Sequence, residues 1–233
     1  MRHIILPIVL GLLGCSSQYN SNNYIGAEFL GMPYAQNPLG EGVAPDADPP
    51  IRFDAFDCQT FVETTLADSD IENLNKIRYQ DGKIDFIHRN HFIETDWLNH
   101  NSGLVRNISA DFAKTKVRHV TIDKKKWFKT VHNIDTDFAP QTVDLEYIPY
   151  ENAHDIAVTK PVIVLFIIDS PTIRKKIGTD LAVRHMGFLL PDGQFRHASY
   201  RQKRVVDTDF HEYINRILEN KNNLGIMLLE IKK

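Results

Sequence analysis

Residues 162–168 read VIVLFII. Seven apolar residues in succession, rich in β-branched side chains, leave no polar face. Such a run reads as a strand covered on both sides, so the chain must supply a sheet with material packed on each face. The segments that follow supply it. AVRHMGFLL (182–190) and QFRHASY (194–200) flank the turn signal PDG and read as a hairpin, and LGIMLLEI (224–231) reads as a closing strand. KVRHVTI (116–122) reads as a further strand. Helical spacing occurs in three places. From Asp57, CQTFVETTLA places Phe61, Val62, Thr65 and Leu66 together, with Cys58 in the first turn; a short helix covers 70–78; and DTDFHEYINRILEN (207–220) carries Phe210, Tyr213, Ile214, Ile217 and Leu218 on one face. The Pro-, Gly- and Asp-rich stretch 37–50 is a loop, and residues 124–158 show no readable period. Helices first and then a mostly antiparallel sheet predict an α+β fold, with one domain over residues 24–233.

The leader differs from the rest. MRHIILPIVLGLLGC has an apolar run from Ile4 to Leu13, too short to span a bilayer, which takes about 20 apolar residues. It fits the h-region of a secretory signal peptide. LLGC resembles a bacterial lipobox, which predicts a signal peptide over 1–15, a lipid on Cys15 and membrane attachment through it. The other reading is a plain signal peptide cut elsewhere. SSQYNSNN (16–23) reads as a flexible tether. Ser16 follows the cysteine with no Asp, which favours a periplasm-facing lipoprotein of the outer membrane. The net charge of -3 gives no basic surface for nucleic acid. A monomer is expected.

The chain has two cysteines. If Cys15 carries lipid, Cys58 has no partner in a compartment where disulfides form, and an unpaired thiol there is a candidate reactive group. A helix N-terminus and a nearby imidazole both lower a thiol pKa. Among ten histidines, His185 and His197 stand out because they lie twelve residues apart in the two strands of the hairpin. One imidazole can take the thiol proton while the other orients it. The competing readings are a buried structural cysteine with ordinary sheet histidines, and a Cys–His–His zinc site. No CxxC or HExxH pattern supports zinc, and the reaction needs no metal or organic cofactor.

The helix-borne DC followed by RHMGFLLPDGQFRHAS resembles the NlpC-type cysteine peptidases of bacterial cell walls, whose fold is papain-like. FLGMPY (29–34), FDCQTFVETTLA (56–67), IRYQDGKIDFIHRNHF (77–92) and HASY, in that order, resemble more closely the N-acetylmuramoyl-L-alanine amidase-like branch of that superfamily. The resemblance implies a nucleophile at Cys58, a base at His185 and an orienting histidine at His197. It implies a cleft wall from Arg89, Asn90 and His91, to which Asp57, Tyr34, Asp96 and Trp97 are added as candidate substrate contacts; the competing readings are core aromatics at Tyr34 and Trp97 and a solvated loop charge at Arg89. Arg89 is the candidate for a substrate carboxylate, held by Asp96, with Trp97 stacked on the ligand. Arg184 departs from the pattern, since a small residue is expected before the base. The expected substrates are peptidoglycan or muropeptide fragments. Three functions remain open: an amidase cutting between the muramoyl lactyl group and L-Ala, an endopeptidase cutting D-Glu–diaminopimelate, and a non-catalytic wall-binding lipoprotein. HRNH (88–91) also allows a metal-binding histidine pair, with a polar loop as the alternative, and the N-x-S at Asn107 reads as chance.

Overall fold

The computed structural model of the protein describes residues 24–232. Cys15, the lipobox and the tether lie outside the described residues. The described chain forms helices α1 (Cys58–Leu66), α2 (Ile71–Arg78), α3 (Leu98–His100), α4 (Lys124–Trp127), α5 (Pro171–Ile177) and α6 (Phe210–Ile217). Its strands are β1 (Val105–Asn107), β2 (Lys116–Ile122), β3 (Gln141–Pro149), β4 (Val162–Ile168), β5 (Val183–Leu189), β6 (Gln194–Ser199), β7 (Arg204–Asp209) and β8 (Asn223–Ile231). They make one antiparallel sheet in the order β2-β3-β8-β4-β5-β6-β7, with β1 paired to β8. The fold is α+β.

The apolar run at 162–168 is a strand near the middle of the sheet, between β8 and β5. Its side chains alternate between two cores. Ile163, Leu165 and Ile167 join Phe61, Val62, Leu74 and Trp97 on the face covered by α1 and α2. Val162, Val164 and Phe166 join Phe195, Phe210 and Ile214 on the face covered by α6. Each such side chain contributes about 1.5–3 kcal/mol when fully buried. Both faces are needed, which is why the run has no polar alternation. Among the described residues no helix is long and apolar enough to cross a membrane.

Two segments depart from the sequence reading. Residues 207–209 belong to β7 rather than to the last helix. The Asp207 carboxylate pairs with the buried Arg196 guanidinium of β6 through two hydrogen bonds of 2.8 Å, and this holds 204–209 extended. The helix starts only after Asp209, which accepts a hydrogen bond from the Glu212 N–H. In 124–158, α4 runs into a wide turn over Phe128–His132, and β3 pairs with β2. Only the inner half of β3 is buried, so no period shows along it. Asn107 lies at the end of β1, where its amide donates to the Glu146 carbonyl and its oxygen accepts from Ser109.

Candidate active site

The start of α1 is built by a reciprocal cap. The Asp57 carboxylate accepts from the Thr60 N–H at 2.8 Å, while the Thr60 hydroxyl oxygen accepts from the Asp57 N–H at 3.0 Å. A cap of this kind contributes about 1 kcal/mol and defines where the helix begins. Phe61 and Val62 on the buried face press the helix onto β5 and β6. Cys58 is therefore held as the first helical residue, half-buried and unpaired. The backbone N–H groups of Met186, Gln59 and Cys58 itself face the sulfur and favour its charged form. Burial outweighs them, and with the neighbouring Asp57 carboxylate it pushes the thiol up to about 12. Asp57 thus serves as the helix cap.

On the hairpin, His185 Nε2 and His197 Nδ1 are 2.8 Å apart and share a hydrogen bond. The pairing is diagonal rather than directly opposite. His197 lies beside Gly187, two residues beyond His185 on the same strand. A Cβ at position 187 would stand 2.8 Å from the His197 Cβ and 2.6 Å from the Arg196 carbonyl oxygen. The glycine leaves the space through which the two rings meet. Phe195 stacks on His197 with ring centres 4.5 Å apart, and Tyr213 of α6 packs on both imidazoles. Burial is the main cause that lowers His185 to about 3, with Arg184 adding to it. His197 falls to about 2 through burial, then His185, then Arg216. Both rings are neutral at physiological pH, so one donates and the other accepts. The buried His197 Nε2 has no hydrogen-bond partner.

Cys58, His185 and His197 line one open cavity of about 570 Å³. Among the described residues no hydrogen bond joins Cys58 to His185. Tyr34 also lines it, with its ring edge-on to the exposed Tyr200 at 5.5 Å. The Tyr34 hydroxyl is pushed up to about 12 by burial, then by Asp57 and Cys58, which places it in the field of the thiol. Sequence reasoning left out Tyr150, Tyr213 and Arg216, which are part of the wall. Tyr213 and Arg216 lie one helical turn apart on α6, and that spacing was the available signal. Tyr213 read as core, whereas its ring is half-buried at the cavity surface.

The stretch 88–92 behaves differently from its expectation. Arg89, Asn90 and His91 line a second cavity, of about 230 Å³, on the Asp57 and Gln59 side of the helix start. There the Arg89 guanidinium is taken up by two carboxylates of the chain: Nε donates to Glu41 at 2.8 Å, and Nη2 donates to Glu41 at 2.5 Å and Asp46 at 2.8 Å. Asp96 does not hold Arg89. It lies buried against the Lys124 ammonium at 3.0 Å. Trp97 is 0% exposed and packs in the core, where no ligand reaches it. Asn90 is also buried, and its amide donates to the Ile77 carbonyl. His91 faces an aromatic cluster of Phe86, Trp127 and Phe128 and donates from Nε2 to the Phe86 carbonyl. Burial lowers it to about 3. His88 bonds instead to Asp85, so the two histidines of HRNH point to different partners. Among the described residues, no three His, Cys, Asp or Glu side chains converge as a metal-binding group.

The model of the AmiA-like, N-acetylmuramoyl-L-alanine amidase-like family matches residues 24–220. The chain belongs to that family. Its fold recurs in a Legionella pneumophila protein, LPG0564, at a TM-score of 0.81 and 24% identity, over 89% of this chain and 87% of that one. It also recurs in an N-acetylmuramoyl-L-alanine amidase from Bacteroides uniformis, at a TM-score of 0.66 and 22% identity, over 89% and 97% of the two chains. No curated protein matches the chain.

Proposed function

We propose that this protein is a cysteine-dependent amidase of peptidoglycan fragments, and that it cuts the amide between the muramoyl lactyl group and L-Ala. The observation that carries the reading is the 2.8 Å His185–His197 hydrogen bond in the cavity that also receives Cys58. With His185 Nε2–H donating to His197 Nδ1, the His185 Nδ1 lone pair is left for the thiol proton. His197 then carries its own proton on the buried Nε2. We read the fold as papain-like: a cysteine opening a helix that packs on an antiparallel sheet bearing the base.

The resting pair is neutral, because burial disfavours both thiolate and imidazolium. The thiol proton therefore moves to His185 as Sγ bonds to the amide carbonyl carbon. The oxyanion is met by the Cys58 backbone N–H at the helix start. The C–N bond breaks as His185 returns the proton to the leaving amine, which leaves a thioester. Water adds to the thioester with His185 as base, the C–S bond breaks, and the acid and the free thiol are released. Tyr34 and Tyr200 offer ring faces to the sugar or peptide at the rim.

Mass spectrometry of purified muropeptides after digestion tests the bond. A new L-Ala amino terminus is expected. A new diaminopimelate amino terminus would replace the amidase with an endopeptidase, and unchanged muropeptides would overturn both. We also propose that Cys15 carries lipid and holds the protein on the periplasmic side of the outer membrane. Cys15→Ala should move it to the soluble fraction, and a wild-type mass without acyl groups would remove the anchor.

A further inference from the structure

Arginines divide sharply in this molecule. Of the eleven among the described residues, all but Arg184, Arg201, Arg204 and Arg216 hold a carboxylate of the chain. Three of those four, Arg184, Arg201 and Arg216, line the cavity of Cys58 and the histidine pair. Glu219 is the one carboxylate in the same wall. Arg184 directly precedes His185 on β5. Arg216 lies on α6 with its guanidinium carbon 5.0 Å from the centre of the Tyr213 ring, and that ring packs on both imidazoles. A chain with net charge -3 thus presents a cationic wall at this cavity. Low-dielectric walls focus such a field and draw anions in.

We propose that Arg184 and Arg216 bind free carboxylates of the stem peptide, and so select fragments whose peptide acids are unblocked. The proposal rests on the peptidoglycan-fragment reading above and names the groups that recognise its peptide. A guanidinium matches a carboxylate with two parallel hydrogen bonds, and neither arginine has to give up a carboxylate of the chain to form them. Arg89 would have to release two.

The test uses N-acetylmuramoyl-L-alanyl-D-glutamate and the same compound with both peptide carboxyls amidated. Binding is measured first by calorimetry on the full chain carrying Cys58→Ala, which removes turnover. The acid should bind about tenfold more tightly than the amide, and adding Arg184→Gln and Arg216→Gln should abolish that preference. Each single change should cost about threefold on the acid, and raised salt should narrow the gap. Equal affinity for acid and amide, including no measurable binding of either, would overturn the arginine site. Turnover is then read on the chain with Cys58 intact. A higher KM on the amide with kcat held supports the site, and equal KM values overturn it. Acid-selective binding without any cleavage would overturn the amidase reading and leave the carboxylate site standing.

Discussion

Two cavities flank the first turn of α1, and both contain arginine. In the one behind Asp57, Arg89 is held by Glu41 and Asp46, and the neighbouring Arg78 pairs with Glu63 at 4% and 1% side-chain exposure. In the one in front of Cys58, Arg184, Arg201 and Arg216 line the opening together with Glu219, and among the described residues none of the three is ion-paired to a carboxylate of the chain. The difference lies in desolvation. A guanidinium drawn out of water needs its counter-charge built in, and removing either partner leaves a buried charge uncompensated. A guanidinium at a water-filled mouth meets no such demand and stays free for a ligand. The first kind holds loops together, here 40–46 against 89; the second kind is free to meet a ligand.

Substitutions should separate the two cavities. The largest effects belong to the cavity of the histidine pair. Cys58→Ala should abolish turnover with the melting temperature nearly unchanged. His185→Ala should lower kcat by about 10³-fold or more and His197→Ala by less, since water replaces an orienting contact better than a base. Equal and small losses for the two histidines would break the assignment.

Arginine substitutions come next. Arg89→Gln should destabilise the fold by about 3 kcal/mol, or roughly 10 °C in melting temperature, because Glu41 is left buried without its cation. Arg184→Gln should leave melting within about 2 °C, as an exposed charge without a partner contributes little to the fold. A stable Arg89→Gln protein with a raised KM would reverse the comparison and return substrate binding to the Asp57 side.

The smallest effect is a rate profile. The Cys58 thiol lies above its ordinary value, so less thiolate is present at any given pH. Alkylation by iodoacetamide should be slower at pH 7 than for a free cysteine and should climb through the alkaline range. Fast alkylation, flat between about pH 5 and 8, would mean a preformed thiolate–imidazolium pair and a different first step.

Much of this molecule was legible along the chain. The strands at 116–122, 162–168 and 224–231, the hairpin at its PDG turn and the helix from Cys58 follow from local periods and caps, which are properties of neighbouring residues. The two histidines were legible as a pair because a short turn fixes which residues of a hairpin meet. The register was less so, since their diagonal contact depends on the missing side chain of Gly187. Residues 207–209 were misread for a reason of longer range, as their conformation is set by a partner on β6. Arg89 and Arg184 are alike as residues in the sequence. Tertiary structure brought Glu41 and Asp46, more than forty positions away, onto the first, and brought no carboxylate onto the second. Charge partners are chosen in space and burial decides what they are worth, so the sequence determined where the thiol, the two imidazoles and the arginines stand along the chain, while packing decided which arginine is paired and which is left free.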